Sequence, residues 1–399
     1  PLTRRAALPL LVAEATAASQ GPPQSIVFLS ALTFDSCLSG RTRRLAEALA
    51  AAGHDVTFVD MPSLRQVARP TSWLRRSYTS PAGVRVVRLP PLPWRARSGW
   101  PSVTSIWSSL AVRSLGRRVP GLEQAVVVAS TPWWLPVARE LPAWVRCYDY
   151  LDHVDVQAGP RRIEWFRRWD AELLRIADVV TTVSEPLRRH LQAAVPPERL
   201  HLVPNGVCGD WIDSPVVAAE RGSLASRADA PIAGFLGALF EWVDLDLIAA
   251  VAGLLPQIEF VIVGPTRRGV RIDALLQLPN VRCHGPVPFE QVPATLAAFD
   301  VCLVPFRRDL ISDYADPLKV YEYCALGKPV VSTVLFNAGG TEPPIAVAPT
   351  AEAFAAAIRE ALETSPADRD RWIAFARQHT WEARARQFAE IMSRTASTR

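Results

Sequence analysis

Short β-branched apolar runs alternate with amphipathic helical stretches along nearly the whole of this 399-residue chain. The first series holds runs at 25–31 (SIVFLSA), 55–60 (DVTFVD), 84–89, 125–129, 146–150 and 178–183. A helical stretch at 40–52 carries Leu45, Ala48 and Leu49 on one face, and another begins at Glu185. Runs of four to eight residues separated by helix-period stretches are the pattern of βαβ units, which build parallel sheets covered on both faces. A second series follows at 232–237 (IAGFLG), 260–264 (FVIVG), 281–285, 300–305 (DVCLVP), 329–333 (PVVST) and 345–348. Between the two lies 205–231, with Pro, Gly and Ser and no clear period. The chain is therefore expected to form an α/β protein of two domains, each large enough for its own core. Two further helical stretches, near 368–378 and 381–393, close it.

Composition narrows the class. Hydrophobic content of 49% with 21% charge fits a globular protein, and no apolar run reaches the length of a bilayer span. The start of the chain has Arg4 and Arg5 before a short apolar stretch, but Pro9 and Glu14 interrupt it. That reads as a tail rather than a secretory signal. Six cysteines stand singly with no C-x-x-C, which argues against a disulfide framework or zinc site and for a reducing, cytoplasmic setting. Residues 1–205 hold 26 arginines against 16 acidic residues, a charge of +10, whereas the remainder is acidic. A basic half suits an anionic lipid surface, a phosphorylated acceptor or nucleic acid, or is an Arg-biased solvated surface.

One region breaks the alternation. Residues 61–107 are rich in Pro, Arg and Trp, including Trp73, Trp94, Trp100 and Trp107. A long irregular segment inside a compact domain is usually functional or disordered. Its aromatic side chains either contact sugar faces or an interface, or pack onto the sheet. Trp73, Trp94 and Trp100 are the candidates for acceptor binding.

Three segments carry chemistry. In 313–333 (DYADPLKVYEYCALGKPVVST), Pro317 fits a first helical turn, Gly327 a helix end and Pro329 a strand start. Lys319 and Glu322 then share one helix face. Near a helix N-terminus they offer an ammonium for a diphosphate and, one turn on, a carboxylate for a ribose diol; the pair alone favours a surface ion pair, a reading that the Pro, Gly and Pro punctuation makes less attractive. In 234–246 (GFLGALFEWVDLD), Gly234 and Gly237 permit a phosphate to approach the backbone. Asp244 and Asp246 there fit the acidic first turn of a helix better than a metal site. No G-x-G-x-x-G follows the first strand, which speaks against a dehydrogenase. In 148–155 (YDYLDHVD), Asp149, Asp152, His153 and Asp155 stand at the carboxyl end of a strand, where open α/β sheets bind ligands and a general base would act.

These residues resemble a known family. Residues 316–331 (DPLKVYEYCALGKPVV) are similar to the donor-site motif of GT-B glycosyltransferases, especially the bacterial family 4-like enzymes of surface-polysaccharide assembly. Stretches at 148–152, 183–187, 203–207, 234–238, 260–265 and 281–288 match in the same order, so the resemblance runs from about Ser25 to Met392. It implies two Rossmann-like domains with parallel sheets facing across a cleft. The tail would be 1–24, the acceptor domain 25–205, the hinge 206–231 and the nucleotide-sugar domain 232–378, with 379–399 crossing back as a helix. By this likeness Glu322 binds the ribose and Lys319 the diphosphate, with Gly234, Gly237 and Asp316 also on the donor. Gly285 and Val287 border the base, and Asp152, His153 and Lys319 serve catalysis.

Two departures stand out. Where many family members have a Glu eight residues before the ribose-binding one, this chain has Tyr314, with Asp313 and Asp316 beside it. The basic residues usual after the glycine turn are replaced by Phe240, Glu241, Trp242 and Val243, which leaves Lys319 and an arginine among Arg267, Arg268, Arg307 and Arg308 to meet the diphosphate. The turn and the donor-helix Lys also resemble an inverting glucuronosyltransferase of xanthan assembly, so retention and inversion both stay open. The expected activity is transfer of a hexosyl group from a nucleotide diphosphate sugar to a lipid-linked or amphipathic acceptor, in polysaccharide or glycoconjugate synthesis, without metal or other cofactor. The expected setting is the cytoplasm, with peripheral attachment to an anionic inner membrane face, and nucleic acid is not an expected partner. A nucleotide-sugar epimerase of the same fold, or a degenerate member that only binds a partner, are the alternatives.

Overall fold

A computed structural model describes residues 24–30, 32–36, 40–60, 77–89, 101–157, 163–213, 215–227, 229–336 and 343–398. Trp73, Trp94, Trp100 and residues 1–23 lie outside the described residues.

Two sheets form. The first has eight strands in the order β3-β4-β2-β1-β5-β6-β7-β8. These are β1 (Ser25–Ser30), β2 (Asp55–Asp60), β3 (Ser77–Thr79), β4 (Arg85–Arg88), β5 (Val126–Ala129), β6 (Val145–Tyr150), β7 (Val179–Thr182) and β8 (Leu200–Leu202). β1 pairs in parallel with β2 and β5, β2 with β4, and β5 with β6, while β3 runs antiparallel at the edge. The second sheet is parallel throughout, in the order β11-β10-β9-β12-β13-β14. Its strands are β9 (Ile232–Leu236), β10 (Glu259–Val263), β11 (Val281–His284), β12 (Val301–Val304), β13 (Val330–Ser332) and β14 (Ala346–Val347). Strands such as β1 and β10 are buried on both faces, which is why the sequence shows continuous apolar runs and not alternation.

The chain groups into two compact units, Pro1–Asp149 with Arg168–Val180 and Ala385–Arg399, and Tyr150–Arg167 with Thr181–Arg384. In the first, α1 (Gly40–Ala51) buries Leu45, Ala46 and Leu49. Helix α2 (Pro101–Gly116) packs beside α3 (Leu135–Glu140), with Trp107 and Trp134 rings 6.0 Å apart. Trp107 is thus a packing residue. The segment read as irregular contains, besides the strand read at 84–89 (β4), the short β3 and the first turns of α2, which its Arg and Pro content masks in sequence. The last helix ends in this unit, where Phe388 stacks on Phe28 at 6.2 Å and Gln24 Nε2 donates to Ser393 Oγ at 2.8 Å.

In the second unit, α5 (Leu245–Leu254), α6 (Leu318–Ala325), α7 (Ala351–Ala361) and α8 (Pro366–Gln378) contribute to the core around the second sheet, whereas α4 (Glu185–Leu191) packs against β8 of the first sheet. Asp244, read with Asp246 as a helix's acidic first turn, is instead the N-cap of α5 and accepts from Leu247 N at 3.1 Å, while Asp246 lies in the first turn. Pro317 sits at the N-cap of α6, one position before the first turn assigned to it from sequence. Gly327 ends α6 with φ +61°, and Lys328 N donates back to Tyr323 O at 3.0 Å, a glycine-type helix stop.

Candidate donor and catalytic site

The second sheet directs the turns after β9 and β10 to one place. Gly237 N donates to Val263 O at 2.9 Å, and Gly264 N to His284 O at 3.2 Å. Gly237 and Gly264 have φ of +153° and +148°. A Cβ on Gly264 would fall 2.1 Å from Gly237 O, so the two backbones cross where no side chain fits. Gly285, which has open space around it, and Val287 lie in the next turn along this carboxyl edge. Gly234 differs. It lies inside β9, and a Cβ there would meet the Phe299 ring at 2.1 Å, so its missing side chain makes room for the core, and its place in the fold is explained without a phosphate.

Helix α6 is tied to this edge. Tyr323 Oη accepts from Leu236 N at 3.1 Å and donates to Leu236 O at 3.4 Å, at the end of β9. This sets Lys319, second residue of the helix, beside the glycine turn: a Cβ on Gly237 would stand 3.3 Å from its Nζ. The ammonium lies 5.3 Å from the Phe235 ring centroid and 4.9 Å from that of Phe306. Among the described residues it makes no hydrogen bond or ion pair. Lys319 keeps some solvent-exposed area, yet protein crowds its ammonium, and the loss of hydration lowers its pKa to about 8 while the Glu322 charge opposes the shift. A cation held by two ring faces is stabilised without being neutralised. It stays available to an anion.

The arginines proposed as its companions are differently engaged. Arg267 pairs with Glu241 at 2.9 Å and lies over Phe240. Arg307 pairs with Asp246 at 2.9 Å and Asp244 at 3.4 Å. Arg268 and Arg308 are exposed. Phe240 and Trp242 stack at 4.3 Å with 9° between planes.

Asp316 is spent on the fold. Its carboxylate accepts from Asn205 N at 2.6 Å and from Tyr321 Oη at 2.7 Å, and its carbonyl accepts from Asn205 Nδ2 at 2.6 Å. With both oxygens occupied and the residue buried, it braces the loop entering α6, which removes the ground for placing it on the donor. The sequence carried no sign of this pairing, since Asn205 lies 111 residues away.

The YDYLDHVD segment sorts itself by partner. Asp149 is buried under a bidentate Arg41 contact at 2.9 and 3.1 Å. Asp155 takes both oxygens to Arg167 at 2.6 and 2.7 Å, and that hydrogen bonding lowers its pKa. Neither is a base. Asp152 is exposed, and desolvation by surrounding protein raises its carboxyl above the usual range; its open face moderates that shift. His153 is buried and stacks on Tyr314 at 5.0 Å and 18°, with His190 4.5 Å from it. Tyr314 is edge-on to His190 at 5.6 Å, and Ser184 Oγ donates to Tyr314 O at 2.7 Å. The Tyr that replaces the expected Glu is thus a packing partner that joins His153 to the chain leading into α6. Burial, then the His190 charge, lowers the His153 pKa, and its Nδ1 accepts from Asp155 N at 3.3 Å. His190, a lone histidine at the end of a short helix, gave no sequence signal.

Comparison with known proteins meets this geometry. The family described as "Glycosyl transferase 4-like domain" matches residues 39–206, and "Glycosyl transferases group 1" matches residues 230–364. The two matches follow the two sheets in order. The chain belongs to the GT-B glycosyltransferases. A 179-residue stretch is 30% identical to TuaH of Bacillus subtilis, named as a teichuronic acid biosynthesis glycosyltransferase. That stretch is 44% of this chain and 45% of TuaH, less than half of either. Among solved structures, sucrose-phosphate synthase of Thermosynechococcus elongatus aligns over 94% of this chain and 100% of its own, with a TM-score of 0.69 and 18% identity. Anabaena HepE, solved with UDP and glucose, covers 92% and 99% at 0.65 and 16%. WaaG, a glycosyltransferase of lipopolysaccharide biosynthesis, covers 92% and 99% at 0.62 and 16%. At these identities the structures establish the GT-B fold. Among the described residues of this glycosyltransferase, no helix is long and apolar enough to cross a membrane.

Proposed function

We propose that this glycosyltransferase moves a sugar from a nucleotide diphosphate sugar to a lipid-linked or amphipathic glycan acceptor in the assembly of a surface polysaccharide. The observation that carries the donor half is Lys319, an ammonium that forms no ion pair among the described residues, held by Phe235 and Phe306 at the Gly237 turn. A diphosphate there meets the cation, the α6 N-terminus and backbone that no side chain shields. Glu322, one turn further along, accepts from the ribose hydroxyls. The turn at Gly285 and Val287 borders the base.

Bond breaking leaves negative charge on the diphosphate, and a preorganised cation stabilises it where water is scarce. Asp152 takes the acceptor proton: it is the exposed carboxylate of its cluster, and a raised pKa suits a general base. His153, kept neutral and clamped on Tyr314, holds that loop beside the donor helix. With a carboxylate base and no Glu at position 314, the reaction inverts the anomeric centre. No metal is required by these roles. The polysaccharide setting is supported by the likeness to TuaH and WaaG, and the cytoplasmic, membrane-attached location by the single cysteines and basic first half.

The test is a thermal-shift series with UDP, GDP, ADP, TDP and their sugars, followed by transfer to a lipid-linked acceptor and NMR of the product anomer. A ligand that binds only the folded chain raises the melting temperature. One nucleotide is expected to do so, and Glu322→Ala to abolish the shift. No shift with any nucleotide, or turnover to an epimer without acceptor, overturns the proposal.

A further inference from the structure

The chain leaves the Gly237 turn through a short segment that is stitched to the turns on either side of it. Leu239 N donates to Pro265 O at 2.9 Å and Arg267 N to Leu239 O at 3.0 Å, which ties it to the turn after β10. Arg307 N donates to Trp242 O and Asp244 N to Pro305 O, both at 2.7 Å, which ties it to the turn after β12. Leu239 and Val243 are buried, whereas Phe240 and Trp242 between them are half-buried. Their rings stack at 4.3 Å, too close for a guanidinium to enter, so Arg267, 5.4 Å from the Phe240 centroid, covers the other face of Phe240. Trp242 is the open end of this stack. Its indole N–H keeps solvent access and makes no hydrogen bond among the described residues. Val243, the next residue, bridges to Phe306, whose ring carries the Lys319 ammonium at 4.9 Å.

We propose that Trp242, backed by Phe240, is the platform on which the donor's sugar ring lies, and so a determinant of which sugar is transferred. Strand order gives the direction. The sheet runs β11-β10-β9-β12. With the base at the turn after β11 and the diphosphate at Gly237 after β9, the sugar, joined to the far phosphate, extends toward β12. Trp242 is fixed to the turn after β12 by its own carbonyl. A pyranose has an apolar face of C–H groups and a rim of hydroxyls. An indole matches both, with its ring face for the first and its N–H for the second, and ligand sites combine aromatic walls with a few placed polar groups. Arg267 and Arg307, the cations tied to this segment, are held by Glu241 and Asp246, each at 2.9 Å, so the platform offers an uncharged surface. The base is the other ligand part suited to an aromatic face, but its turn lies on the opposite side of β9. The inference rests on the nucleotide-sugar donor of the proposed function, and adds the part of that site which reads the sugar.

The experiment is calorimetric titration of the full chain with each nucleoside diphosphate and its sugar conjugate: UDP with UDP-glucose, GDP with GDP-mannose, ADP with ADP-glucose and TDP with TDP-glucose. The pair that wild type binds is then measured on the variants. Trp242→Leu should weaken the sugar nucleotide about tenfold and leave the free diphosphate unchanged, which also controls for folding. Trp242→Phe keeps a ring face and should restore most of the affinity. Phe240→Leu removes the backing ring and should give a smaller loss with the same selectivity, so it reads the platform even where Trp242→Leu does not fold. Glu322→Ala, by contrast, should lose both ligands. Equal weakening of both ligands by Trp242→Leu overturns the proposal and places the ring on the nucleotide. Unchanged binding of both overturns it too, and leaves the ring no part in holding the donor. A wild type that binds none of the four pairs overturns the donor reading beneath it, before any variant is made.

Discussion

The Lys319 ammonium has exchanged part of its hydration for two ring faces, and its pKa of about 8 follows from that exchange. The sign of its pH dependence is fixed. The folded value lies below the unfolded one, so the unfolded chain binds the extra proton between about 8 and 10.5, and this residue's contribution to stability rises with pH across that window. Donor affinity moves the other way. As pH climbs through about 8 the free enzyme loses the cation that a diphosphate needs, and the dissociation constant for nucleotide diphosphate should rise. Calorimetric titration with the nucleotide found by thermal shift should show that rise in wild type and a flat profile in Lys319→Arg, whose charge persists. A flat wild-type profile would remove Lys319 from the phosphate. Replacing the charge by Lys319→Met should cost about tenfold to a hundredfold in affinity at neutral pH.

Asp152 offers a separate residue-scale contrast. Asp152→Asn should leave the nucleotide thermal shift in place while kcat falls by about a hundredfold or more, as for loss of a general base. Unchanged kcat would assign proton removal elsewhere. Asp155→Asn chiefly breaks the exposed Arg167 pair and removes a minor charge effect on His153, so it should alter kcat far less than Asp152→Asn.

At the scale of elements, the crossing of the two glycine turns is the tightest constraint on the proposed donor site. Gly264→Ala places a Cβ against Gly237 O and asks for an unfavourable backbone angle. A cost of about 1–3 kcal/mol in urea unfolding is expected from the overpacking alone, together with a lost nucleotide shift, because the turn proposed to face the phosphates must move. Gly285→Ala, with open space around it, should cost far less. Equal effects at the two positions would mean that the crossing does not set the site. The strands were legible because β1, β2, β9, β10 and β12 are buried runs bounded by polar turns. Helix α6 was legible from Pro317 and Gly327, which punctuate it chemically. What could not be read was everything that depends on long-range pairing. Asp316 looks like a ligand residue in sequence and becomes a brace only when Asn205 is folded against it. Likewise Asp149 and Asp152 are alike in the motif and parted by Arg41, which lies 108 residues before Asp149. The short β3 and the start of α2 were hidden because arginine and proline dominate their neighbourhood without specifying a period.

For the whole molecule, the two compact units assign the ligand response to one part of the chain. Gly237, Gly264, Gly285, Lys319 and Glu322 all belong to the unit of Tyr150–Arg167 and Thr181–Arg384, as do Asp152, His153 and Tyr314. The second sheet centres the core of the second unit, while β1 to β5 lie in the first, and local opening in such proteins follows contiguous structural blocks. A nucleotide bound through these residues at a hundred times its dissociation constant adds about 2.7 kcal/mol to the folded state. That free energy should register as slowed amide exchange in β9, β10 and α6 and their turns, while β1, β2 and β5 in the other unit exchange as before. Hydrogen-exchange mass spectrometry with and without the nucleotide reads both sets in one experiment. The Lys319→Met chain supplies the control, since the same nucleotide concentration should then protect neither. Protection that spreads equally to β1, β2 and β5 would mean that the first unit holds a share of the donor, and the assignment of the donor to the second unit alone would fall.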